Sequence, residues 1–210
     1  MKNIFIKPIV LMTLSLAVFT SCVKEDDFAI PTVKVPFFNE NFQDVTNSTD
    51  LDIENWTNFA EEGNWLWREK TFTSSGVTNG YAEFSAFNSN SVSNVVWLVT
   101  PKVDLTEYNK PTLRVDIAQH HLDVNSFENS LEVLISNDYD GTNVLNATWT
   151  PLNANIPDTS VSWYKFVTST IDLSSYKEKV HVAFKFRGSG TNTNFDGAYQ
   201  IDNVLFYNEN

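Results

Sequence analysis

Two carboxylates stand where the alternation of the chain calls for apolar side chains. Glu40 lies two residues from both Phe38 and Phe42, and Asp202 shares its parity with Val204 and Phe206. Side chains two apart on a strand point the same way, so both acids are expected on apolar faces. A bare carboxylate is costly to bury unless it is paired, hydrogen-bonded or bound to a cation. With oxygen donors the fitting cation is Ca2+ rather than Zn2+. The segment NDYDGTN (137–143) looks like a fragment of a calcium loop. It lacks the bidentate glutamate at the far end, and a turn built on Asp140-Gly141 is the simpler reading. The histidines offer little. His120 and His121 are consecutive, so on a strand they face opposite ways and cannot reach one metal, and His181 falls on the polar parity of its strand. The sequence contains no HExxH, no GxSxG and no Cys/His ligand set, and Ser189 reads as a loop serine.

The aromatic residues give the functional hint. Trp65 and Trp67 share one strand face, while Trp56, Trp149 and Trp163 fall near expected loops or strand ends. Exposed tryptophan and tyrosine rings stack on sugar rings, and asparagine amides bond to hydroxyls. The loop GSGTNTNFDGAY (188–199) supplies Asn192, Asn194, Asp196 and Tyr199. The expected ligand surface is therefore a set of loops at one end of the fold, with Trp65 or Trp67 as its aromatic floor. The competing place for any one tryptophan is the core, where its bulk is usually buried.

The elements that must position these groups are strands. Leu113, Val115 and Ile117 alternate with Arg114 and Asp116; Leu131, Val133 and Ile135 form a second such row; Val180, Val182, Phe184 and Phe186 form a third. Each is a strand with one buried face. Further strands are expected over 37–42, 65–71, 81–87, 95–99, 163–171 and 199–207. Asn79-Gly80, Asp140-Gly141, Gly188-Ser189-Gly190 and Asp196-Gly197 read as turns between them. No window has a helical period, although 104–111 and 172–179 each have room for one helical turn. Many short one-faced strands separated by turns give an all-β antiparallel sandwich or barrel.

The N-terminus has a different composition. Lys2 and Lys7 precede an apolar run from Ile9 to Phe19, and small residues precede Cys22, the single cysteine. This is the pattern of a secretory signal, with a run too short to span a membrane. The arrangement resembles a bacterial lipobox, which implies cleavage before Cys22 and acylation of its thiol. The following Lys24, Glu25, Asp26 and Asp27 resemble a surface-export signal of lipoproteins in some Gram-negative bacteria. Three segments result: a signal over 1–21, an acidic tether over 22–35 and a folded domain over 36–210. Without the signal the chain carries 12 basic against 26 acidic side chains, about −14. Such a balance excludes nucleic acid and a polybasic membrane contact, and leaves the lipid as the membrane link.

A set of stretches in order, FFNENFQD (37–44), NWLWREK (64–70), GYAEFSAFN (80–88), WLVTPKVDLTEY (97–108), LEVLISNDYDG (131–141), TWTPL (148–152), STIDLSSY (169–176), VHVAFKF (180–186) and YQIDNVLFY (199–207), resembles the choice-of-anchor J family. That family includes cleaved-adhesin domains and is similar to MAM-type jelly rolls. The resemblance implies a jelly-roll sandwich whose first and last strands are neighbours, on a secreted or surface protein without catalysis. It would let Glu40 and Asp202 hold one structural Ca2+ between them. Cleaved-adhesin members often carry an aspartate-rich loop before the tryptophan; here that place reads AEEGNW (60–65), which argues against a calcium site there. The expected function is a non-catalytic lipoprotein of the outer membrane, facing the exterior, that binds a glycan or a cell-surface protein. Two alternatives stand beside it: an accessory subunit docking with other outer-membrane proteins, and a hydrolase or lyase on the same scaffold.

Overall fold

The computed structural model describes residues 34–209. Cys22, Lys24, Glu25, Asp26 and Asp27 lie outside the described residues. Twelve strands run in chain order: β1 (Pro36–Glu40), β2 (Thr57–Glu62), β3 (Arg68–Ser74), β4 (Val77–Ser85), β5 (Asn94–Val99), β6 (Val103–Asp104), β7 (Pro111–His120), β8 (Ser130–Ser136), β9 (Thr150–Pro151), β10 (Val167–Asp172), β11 (Lys179–Gly188) and β12 (Ala198–Asn208). They form two antiparallel sheets of a jelly-roll sandwich. The first has the order β10-β7-β12-β4-β3, with β1 also paired to β12; the second has the order β2-β5-β11-β8-β9, with β6 also paired to β11. The first and last strands are thus neighbours, with Phe38 opposite Phe206 and Glu40 opposite Val204.

The alternating rows make the core. Leu113, Val115 and Ile117 of β7 face Val182, Phe184 and Phe186 of β11, and all six are buried in one cluster. The rings of Phe84 and Phe186 meet across it with centroids 4.5 Å apart. Full burial of each such side chain stabilises the fold by about 1.5–3 kcal/mol.

Three local features depart from the sequence-based expectation. Asn79-Gly80 is not a turn but lies inside β4. Gly80 is there because the backbone of Phe42 crosses it: a Cβ at this position would lie 1.9 Å from the Phe42 carbonyl oxygen. The segments 104–111 and 172–179 each hold one tight turn rather than a helix. In them Tyr108 N–H donates to Leu105 O, and Tyr176 N–H donates to Leu173 O. Finally, β2, the short β6 and β9 had no period-two signal long enough to read.

Candidate ligand-binding site

The outward face of the first sheet carries a groove of about 600 Å³. Strand parity builds it. On β4, Ala82 and Phe84 enter the core, so Asn79, Tyr81 and Glu83 point out. Lys70 and Phe72 lie opposite Tyr81 and Asn79 in the β3–β4 ladder and share that face. Gln200 of β12 lies opposite both Glu83 and Ala118. Ala118 is fully buried and Gln200 is 2% exposed, so the centre of the sheet is the floor beneath the lining rings. Tyr164 and Phe166 complete the lining from the segment entering β10. Phe72 is 63% exposed and Tyr164 54% exposed on opposite rims, Tyr164 with one face stacked on His120. Tyr81 sits lower, its ring edge-on to Phe166 at 6.2 Å.

Two polar networks hold this face. In one, Glu83 accepts from Gln200 Nε2 at 2.7 Å and lies 3.2 Å from His120 Nε2, with Lys70 Nζ at 3.9 Å. Burial alone would raise the Glu83 carboxyl; the bonds from His120 and Gln200, with the charges of His120 and Lys70, outweigh it and hold it below the usual range. Burial, then the charge of Glu83, pushes the Tyr81 phenol up to about 12. Tyr81 therefore presents a neutral hydroxyl to the groove. In the second network Asp116 accepts from Thr168 Oγ1 at 2.6 Å, Asn203 Nδ2 at 3.1 Å and Arg114 Nη2 at 3.1 Å. Asp202 accepts from Asn203 N–H at 2.7 Å and Asn79 Nδ2 at 2.9 Å. Burial raises the Asp202 carboxyl despite those two bonds.

Asp202 is a correction to the sequence reading. A bulge interrupts the β7–β12 ladder between Asp202 and Leu205, and Asn203 adopts a left-handed backbone with φ 49°. Alternation skips a residue there, so Ile201 and Val204 both enter the core. Asp202, opposite Asp116, points outward although it is only 3% exposed. Glu40 instead accepts from Phe42 N–H at 2.7 Å and lines a polar cleft of about 270 Å³ with Asp44, Asp52 and Glu69. The parity argument that brought the two acids to one Ca2+ fails. Among the described residues no three of His, Cys, Asp and Glu converge to hold a metal ion.

The expected aromatic floor is also displaced. Trp67 is 0% exposed, with its indole Nε1 donating to Val96 O, and Tyr199 is 3% exposed in the core. Trp65 is half-buried against the core and lines a separate cleft with Asp50, Asn64 and Arg68. Asn192 and Asn194 are exposed, but Asn192 spends its side chain capping a short 3-10 turn by accepting from Asn194 N–H. Asp196 lines a pocket of about 290 Å³ at the end of the sandwich, with Phe87, His120, His121 and Asp123. The six residues do not form one site. The groove that does form was legible in part: Tyr81 and Glu83 alternate with Ala82 and Phe84, but reading Asn79-Gly80 as a turn cut the strand short.

The histidines behave differently as well. His121 has φ 55°, which ends β7 and swings its ring beside that of His120, with the two Nδ1 atoms 2.7 Å apart. His181 is buried, not on a polar surface. It lies edge-on to Tyr139, and its Nδ1 bonds to Thr100 O at 2.8 Å.

No family model matches the sequence, and no curated protein matches it. Solved structures do resemble the fold. The K1 cleaved adhesin domain of Lys-gingipain from Porphyromonas gingivalis W83 is 17% identical, with TM-score 0.51, over 82% of this chain and 98% of that one. The K3 cleaved adhesin domain of the same protein is 16% identical, with TM-score 0.51, over 83% of this chain and 100% of that one. At this identity the likeness shows the fold alone: an antiparallel β-sandwich.

Proposed function

We propose that the protein is a non-catalytic glycan-binding module displayed on the cell surface, and that its ligand lies in the groove on the outward face of the first sheet. The observation that carries this reading is the juxtaposition of exposed rings with polar rim groups. Phe72, Tyr81, Tyr164 and Phe166 offer apolar faces, the Asn79 amide stands among them, and Gln200, bonded to Glu83, lies at the floor of the same groove. That combination suits a sugar ring, which has an apolar face and an equator of hydroxyls. The nearby acids favour binding over hydrolysis. All four carboxylate oxygens of Asp116 and Asp202 accept bonds from fixed neighbours, which ties both acids into the sheet rather than presenting them to the groove. The adhesin domains that share the fold support a binding role, and the choice-of-anchor J family remains our assignment for the chain.

In this account the domain is held by lipid on Cys22 at the outer membrane and directed outward by Lys24, Glu25, Asp26 and Asp27. Replacing Cys22 with alanine should release the protein from the membrane fraction. Alanines at 24–27 should protect it from protease added to intact cells. The ligand is tested by screening the soluble Cys22→Ala chain against a panel of neutral and acidic glycans. Retention on at least one polysaccharide, lost in Tyr164→Ala, supports the reading; no retention on any glycan opposes it.

A further inference from the structure

The pair His120–His121 lies beyond the groove, where the end of β7 meets the terminal pocket, and the binding reading makes no use of it. Its two Nδ1 atoms lie close enough for one ion to reach both. His120 Nε2 is 3.2 Å from Glu83 Oε2, and an ionised carboxylate only accepts, so Nε2 carries the proton. In the neutral ring this leaves His120 Nδ1 with a bare lone pair; the charged ring that acts on Glu83 has none. That lone pair points at His121 Nδ1, 2.7 Å away, where a single proton now joins the two rings. Both rings are held from behind: His120 stacks on Tyr164 at 4.6 Å and His121 packs on Trp163 at 4.1 Å. The pocket they share with Asp123 and Asp196 is acidic.

We infer that His120 Nδ1 and His121 Nδ1 form a binding site for a divalent transition-metal ion of the Cu2+ or Ni2+ type. The shared proton lies between the two nitrogens, whereas an ion at about 2.0–2.1 Å from both sits to one side of that line; on binding the rings turn their lone pairs towards it and the proton moves to Nε2 of His121, so no net proton need be released. With metal–nitrogen bonds of about 2.0–2.1 Å, a 2.7 Å separation subtends about 80–85° at the ion. That is close to the right angle of square-planar or octahedral coordination and well short of a tetrahedral angle, which would need about 3.3 Å. The geometry therefore selects against Zn2+. Glu83 is the outer carboxylate that fixes the tautomer and orientation of His120, as carboxylates commonly do behind metal-bound histidines. Two protein donors leave the other positions to water, with Asp123 and Asp196 contributing charge rather than bonds.

The test is a titration with Cu2+, Ni2+ and Zn2+ of the untagged chain carrying Cys22→Ala, which removes the competing thiol. Calorimetry and the paramagnetic resonance spectrum of bound Cu2+ are the readouts. The expected result is one Cu2+ per chain, bound more tightly than Ni2+ or Zn2+, with coupling to two imidazole nitrogens. His121→Asn tolerates the left-handed backbone and should lower Cu2+ affinity at least tenfold, as should His120→Gln. Glu83→Gln should lower it about 10–100-fold while both imidazoles remain. Absence of saturable one-to-one binding would overturn the inference. So would unchanged Cu2+ affinity and spectrum in His120→Gln and His121→Asn variants that melt like the parent.

Discussion

The outward faces of the two sheets are made from similar residues and end in opposite states. On the second sheet, the segment between β8 and β9 folds back over the strands. Tyr139, Val144 and Trp149 pack there on Trp97, Val99 and Ala183 as a second small core. Its polar atoms are matched: Trp97 Nε1 donates to Glu61 Oε2 at 2.8 Å, Lys185 lies over the Trp97 ring, and Tyr139 Oη meets Thr57 Oγ1 at 3.0 Å. On the first sheet only Tyr164 and Phe166, from the segment entering β10, reach over the face, and a groove stays open beside them with Phe72 and Tyr164 more than half exposed. An aromatic residue on an outward face is thus structural or available according to whether a loop returns over it. Periodicity alone does not report this.

The first way to break the comparison is at the covered face. Trp97→Ala should cost about 3–5 kcal/mol, as large-to-small changes of a buried aromatic do. For a domain of this size that is a melting temperature lower by roughly 6–20 °C, read by calorimetry. Glycan retention by the fraction that stays folded should not change. A Trp97→Ala chain that melts normally but no longer binds would exchange the roles of the two faces.

A smaller effect is expected from the open face. Tyr164→Ala should weaken glycan binding by about 1–3 kcal/mol, taking aromatic stacking on bases as the scale, with little change in melting temperature. Affinity electrophoresis in a gel containing the retained polysaccharide measures this directly. A large loss of stability with unchanged retention would make Tyr164 a structural residue.

The smallest effects concern pH, and here two acids of the open face have opposite signs. Glu83 is held below its usual range, so its contribution to stability is present at neutral pH and lost as pH falls through its folded-state value. The stability gap between the parent and Glu83→Gln should therefore narrow on going from pH 7 towards pH 3. Asp202 is raised, chiefly by burial, so its favourable contribution belongs to the protonated form and is lost as pH rises. Asp202→Asn should gain on the parent between pH 4 and pH 7. Denaturant melts at several pH values distinguish the two slopes; parallel slopes would contradict the assignment of Asp202 to a buried position.

Most of the strands were legible because one-faced burial writes period two into the chain, as in Val180, Val182, Phe184 and Phe186. What escaped was local backbone. The left-handed turns at Asn203 and His121 reverse the parity of Asp202 and bring two histidines together, and neither follows from alternation. Asn203 carried a usable signal, since asparagine tolerates positive φ better than most residues; His121 carried only a weaker version of it. Gly80 looked like a turn because a close crossing by the Phe42 backbone and a turn both call for glycine. The tryptophans misled in another way. Trp67 and Tyr199 fill the core, and the rings left in the open groove are tyrosine and phenylalanine. Their exposure depends on which strands are neighbours, a property of the topology rather than of any short stretch.

The central claim is that the uncovered face binds the glycan, and the measurement that tests it most directly is a binding isotherm for the Tyr81→Ala/Phe166→Ala double variant against the parent. The polysaccharide is the one retained in the screen, and a melting curve is recorded for each protein. The account predicts a loss of binding of at least tenfold while the variant still melts in a single transition near the parent's temperature. A folded double variant that binds with the parent's affinity would contradict it and place the ligand elsewhere on the molecule.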